Sequence, residues 1–146
     1  MTGERKGKWK SCIARIVKTS VRDAALVAMI VHYGFKPNEV LGLRREDVDW
    51  RAGTITVRKR RLPLRQNLKL LKGLQAGEST WVFEGRKKRS MSSRQLQLIT
   101  KRWVGKSPGE LRREFARDFV ANGGSLLSLK EKLGHTHISS TARLLE

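Results

Sequence analysis

Apolar residues run almost without a break from Ala24 to Val31 in the stretch SVRDAALVAMIVHYG. A helix that is apolar all round has to be buried, so this stretch predicts a central core helix. Ser20 is its candidate N-cap, Asp23 places an acid in the first turn, and Gly34 stops it. KPNEVLGLR then restarts a short helix, with Pro37 in its first turn and Val40, Leu41 and Leu43 turned inward. In GTITVRKRRLPLR the apolar positions alternate, Ile55 and Val57 before RKRR and Leu62 and Leu64 after it. That period of two predicts a β-hairpin with a basic tip.

QNLKLLKGLQ reads as a helix, and STWVFEG as a short third strand bounded by turn residues. Helical spacing returns in SSRQLQLITKRWV (Leu96, Ile99, Trp103, Val104) and in SPGELRREFARDFVANGG (Leu111, Phe115, Phe119, Val120), where Gly123 is a candidate C-cap. Two short helices, SLLSLKEKLG and ISSTARLLE, follow. Residues 1 to 19 are basic and weakly patterned, which predicts a partly flexible N-terminal arm leading into one domain over residues 20–146. The expected class is α+β, mostly helical, with a small three-stranded antiparallel sheet.

Charge changes this picture. The chain has 146 residues, 32 Lys and Arg against 13 Asp and Glu, and a net charge of +19. Such a density on a folded domain points to a polyanionic partner, nucleic acid first. Cys12 is the only cysteine, which excludes an internal disulfide and a cysteine-based zinc site. His135 and His137 stand two apart, pointing to different faces of a helix, so no metal is expected. No apolar run approaches the roughly 20 residues that span a bilayer, and MTGERKGKWK leads into no signal-like stretch. A cytoplasmic protein, nucleoid-associated in a prokaryote, is the expectation.

The order of buried helix, GFKPNEV helix, basic hairpin, helix, strand and then helices carrying LRREFA and LGHTHISST resembles the catalytic domain of the tyrosine recombinases, the phage-integrase family. The likeness runs from about Asp23 to Leu145. It implies the DNA breaking-rejoining fold and a chemistry in which a tyrosine hydroxyl attacks a DNA phosphodiester without metal or nucleotide cofactor. Two arginines would bind the non-bridging oxygens, a hairpin lysine would protonate the departing oxygen, and histidines would assist.

Carried onto this chain, the resemblance places Lys36 where the family has its first arginine, keeping the charge and losing the bidentate fork. Lys59 matches the lysine, with Arg58, Arg60 and Arg61 crowding it and its register open. Arg112 and His135 match the second arginine and the second histidine. Gly109 stands at the first histidine and Leu144 at the tyrosine, nine positions after His135. A leucine forms no phosphoester, so the family's reaction is closed to this chain alone. Tyr33, the only tyrosine, is expected to be a core aromatic.

The resemblance therefore implies a pseudo-recombinase that binds double-stranded DNA, of mobile-element origin, in a regulatory or accessory role. The expected contacts are Lys36, Arg58, Lys59, Arg60, Arg61, Arg86, Lys87, Lys88, Arg89, Arg112, Arg113, His135 and His137. The plain alternative for RKRR and RKKR is a solvated basic face. Two other functions stay open: an active recombination component whose tyrosine comes from a partner recombinase, and a module for RNA or acidic protein on the same scaffold; self-association on DNA is the other partnership expected.

Overall fold

The computed structural model describes residues 2–74 and 79–146, with side chains from residue 8 onward. Its centre is helix α2 (Val21–Tyr33), in which every residue from Asp23 to Val31 is buried. Ser20 caps it by accepting from the Asp23 amide at 3.1 Å, and Gly34 closes it in the left-handed conformation, φ 68°. Asp23 is charged and buried, yet satisfied: Arg22 lies 3.2 Å away, and the Trp103 indole N–H donates to Oδ2 at 2.9 Å.

Helix α1 (Thr2–Val17) packs on α2 through Trp9, Ile13 and Ile16, all buried. Within residues 1–19, read from the sequence as a partly flexible arm, residues 8–17 are thus helical and packed on the core. Trp9, Cys12, Ile13 and Ile16 form one apolar stripe, and the basic residues between them face water. Lys8 also ties α1 to the later helix α6 (Pro108–Ala121), with Glu114 and Asp118 each 3.0 Å from its ammonium.

Helix α3 (Pro37–Leu41) is followed by β1 (Val48–Asp49), β2 (Thr54–Val57) and β3 (Arg60–Pro63), an antiparallel sheet in that order. The register pairs Val48 with Ile55 and Val57 with Arg60, so the hairpin loop is only Arg58 and Lys59. The sheet has the expected three strands, with one substitution. STWVFEG is not a strand of this sheet. It makes only isolated bridges, Arg44 to Trp81 and Glu84 to Ser90, and β1 takes the third place.

Helix α4 (Asn67–Lys72) covers the hairpin side of α2; the last residue of its predicted span, Gln75, lies outside the described residues. Helices α5 (Ser93–Val104) and α6 begin on serine caps, Ser92 and Ser107. The chain closes with α7 (Leu126–Leu133) and α8 (Ile138–Leu144). Phe115, Ala116, Leu129 and Leu133 make a second apolar cluster, against which Phe119, Leu144 and Leu145 pack. The predicted cap at Gly123 is displaced by one residue, Asn122 being the C-cap of α6.

Candidate nucleic-acid interface

Three segments meet at one place: the Gly34 end of α2, the second turn of α6 and the turn after α7. Arg112 on α6 donates through Nε to the Gly34 carbonyl at 2.9 Å and through Nη2 to His135 Nε2 at 3.0 Å. Gly34 is required here, because a Cβ on it would meet the Phe115 ring at 2.5 Å. Gly134, also left-handed at φ 73°, ends α7 and delivers His135.

Arginine can only donate, so His135 Nε2 accepts and its proton sits on Nδ1. Nδ1 then donates to Oγ1 of fully buried Thr141 at 2.8 Å. The imidazole is neutral in this arrangement. Burial, then the charges of Arg112 and Lys36, hold its pKa below the ordinary value, against a smaller opposing pull from Glu39. Burial also lowers Arg112, with Glu39 opposing and Arg60 adding to it.

Lys36 precedes α3 and is half-buried; its backbone N–H donates to Glu39 Oε1 at 2.9 Å. Glu39 itself is buried and faces the hairpin, with Arg60 Nη1 3.1 Å and Arg58 Nε 3.9 Å from Oε2. The hairpin cations divide in an order the sequence left open. Arg58 and Lys59 form the exposed tip, both with positive φ (47° and 69°). Arg61 is exposed and turns back to Thr54, and Arg60 points inward. Lys59, the match to the family's lysine, is thus on the tip, and Arg60 is the hairpin cation turned inward.

Arg86, Lys87, Lys88 and Arg89 are exposed in a turn closed by the Glu84 to Ser90 bridge, with Lys87 and Lys88 at positive φ. Arg113 is exposed on α6 and His137 is exposed at the N-cap of α8. Gly109 sits at the start of α6, where a Cβ would meet nothing closer than Ser107 Oγ at 3.9 Å. No steric demand explains the glycine. Leu144 is half-buried on α8 against the second apolar cluster.

Tyr33 is a packing residue. Its hydroxyl donates to the Pro63 carbonyl at 2.9 Å and accepts from Asn67 Nδ2 at 3.0 Å, and its ring stacks on Phe35 at 5.1 Å. Burial raises its pKa, with Asn67 and Arg65 opposing. Sequence reasoning missed Glu39 and Thr141, which hold Arg60 and His135 in place; both are polar residues that only their burial reveals.

A helical domain with a small hairpin sheet and an Arg–His pair close to Lys36 and Arg60 is the class of protein defined so far. The sequence matches the phage integrase family over residues 10–144, and the chain belongs to that family. It is 29% identical to tyrosine recombinase XerC of Thermodesulfovibrio yellowstonii, over 84% of this chain and 49% of that protein. It is 27% identical to XerA of Thermococcus kodakarensis, over 90% and 53%. The chain therefore spans about half the length of the curated relatives it matches.

The XerA recombinase crystal structure superposes with a TM-score of 0.80 at 19% identity, over 93% of this chain and 55% of that one. XerH bound to difH substrate in a pre-cleavage complex gives 0.79 at 21%, over 97% and 48%. The fold is that of a tyrosine recombinase catalytic domain. No helix among the described residues is long and apolar enough to cross a membrane.

Proposed function

We propose that this chain is a DNA-binding domain that holds duplex phosphates in the family's cleft and does not cut them by itself. The observation that carries the reading is the Arg112–His135 pair, ordered by Gly34 and Thr141, while Leu144, the match to the family's tyrosine by resemblance, packs against the second apolar cluster. The net charge of +19, the exposed tip at Arg58 and Lys59 and the Arg86–Arg89 turn supply the surrounding phosphate contacts. Family membership supports it, as does the likeness in fold to XerH, which was solved on its difH substrate. The accessory or regulatory role and the mobile-element origin belong to the same reading.

The test is binding of a mixed-sequence duplex followed by fluorescence anisotropy across salt concentrations. Binding that falls steeply with salt, and weakens in the double variant Arg112→Ala, Lys59→Ala, is the expected result. Absence of binding at low salt, or stronger retention of structured RNA than of duplex in competition, would overturn the reading.

A further inference from the structure

Of the four hairpin cations, Arg60 alone is turned inward, its side chain 12% exposed. Its guanidinium lies 5.9 Å from the Phe35 ring centroid and against the turn after α7, where a Cβ on Gly134 would fall 2.8 Å from Cζ. Nη1 is committed to Glu39. Nε and Nη2 are buried and have no hydrogen-bond partner. These two atoms are the side of a guanidinium whose parallel N–H bonds fit two oxygens of one carboxylate or phosphate. A shut-in donor pair with no acceptor is unfavourable until a ligand meets it.

Arg112 is in the opposite situation. Its Nε–H and one N–H of Nη2 go to Gly34 and His135, so the Nε side of its guanidinium is already engaged and the Nη1 side remains for a ligand. Arg60 also acts electrostatically on both Arg112 and His135, so the three share one neighbourhood with Lys36, and Glu39 is the opposing carboxylate. Three cations facing one carboxylate leave an excess of positive charge, which an anion would neutralise.

We propose that Arg60 is the bidentate phosphate ligand of this cleft, its Nε and Nη2 taking the two non-bridging oxygens of a DNA phosphodiester while Arg112 adds a contact through Nη1. The inference rests on the DNA-binding reading above and deepens it. Because the Arg60 edge is shut from solvent in the free chain, engagement lifts the hairpin from the Gly134 turn.

The experiment compares the full chain with Arg60→Lys and with Arg61→Lys, its exposed neighbour on the same strand, in salt-titrated duplex binding. Arg60→Lys keeps the charge and a partner for Glu39 but loses the fork. It is expected to weaken binding by about tenfold or more, with Arg61→Lys close to wild type. In the unmutated chain, the Arg60 Nε–H resonance should shift when duplex is added, a readout that does not depend on a variant folding. Wild-type affinity in Arg60→Lys, or an unmoved Nε–H resonance in DNA-saturated wild type, overturns the assignment of Arg60. Failure of wild type to bind duplex at all overturns the DNA-binding reading instead.

Discussion

Leu144 stands nine residues after His135, and it is a working part of the apolar cluster on Phe115, Ala116, Leu129 and Leu133. Leu144→Tyr alone is therefore expected to give no covalent DNA adduct: the ring can occupy the same apolar contacts, Gly109 offers no proton carrier, and Lys36 supplies no fork. Denaturing electrophoresis after incubation with a nicked duplex checks it, and adduct is expected only once Gly109→His and Lys36→Arg are added. Adduct from the wild-type chain would sink the non-cleaving account. His135 supports a second prediction. Its pKa is depressed on folding, so as pH falls through about 6.5 the unfolded chain takes a proton that the folded chain refuses. The stability this neutral imidazole contributes is complete above that range and is lost progressively below it. The thermal midpoint should thus drop more between about pH 7.5 and pH 5.5 in wild type than in His135→Gln, since His32 and His137 are common to both. Equal slopes would remove the neutral Nδ1–H tautomer from the description.

Helix α1 and the hairpin separate what pattern reveals from what it conceals. Ile16 is fully buried against α2, so Ile16→Ala is expected to cost about 2–5 kcal/mol in urea unfolding; a flexible arm would show no loss. The stripe that buries α1 was present in the sequence at Trp9, Cys12, Ile13 and Ile16, but the basic residues between them mask it, whereas the continuous Ala24–Val31 run left α2 unmistakable. The hairpin was legible from the alternation of Ile55, Val57, Leu62 and Leu64, and its register was not, because four consecutive cations carry no period. Likewise β1 is two residues long, too short for any pattern, and STWVFEG has strand composition but makes only isolated bridges. In the site, Arg112 and His135 were readable from LRREFA and LGHTHISST, while Glu39 and Thr141 depend on packing across distant elements. The tip itself yields a test at this scale. Arg58 and Lys59 both sit at positive φ, a conformation that favours Asn-Gly in a two-residue loop. Arg58→Asn with Lys59→Gly should raise stability by about 1–2 kcal/mol while lowering DNA affinity and its salt slope by about two phosphate charges. A double variant that is more stable and binds DNA as well as wild type would take the tip out of the interface.

At the scale of the whole molecule, the fold has to hold a net charge of +19 within a single small domain. Its carboxylates are already engaged where they matter most, Glu114 between Lys8 and Lys106, Glu39 with Arg60, and Asp23 under Arg22, so most of the remaining cations face water or one another. Self-repulsion of that kind weakens the compact state at low ionic strength and is screened as the Debye length shortens. The free chain should therefore gain thermal midpoint as salt rises from about 20 mM to about 300 mM. A bound duplex acts on the same charge in the opposite sense. At low salt it neutralises the cleft and stabilises the folded state by mass action, and at high salt it dissociates as counterions reclaim the phosphates. Saturating duplex at low salt should accordingly lift the midpoint most where the free chain is weakest, and the two melting curves should converge as salt increases. A midpoint that rises with salt to the same extent with and without duplex would mean that the charge destabilising the fold is not the charge that meets DNA.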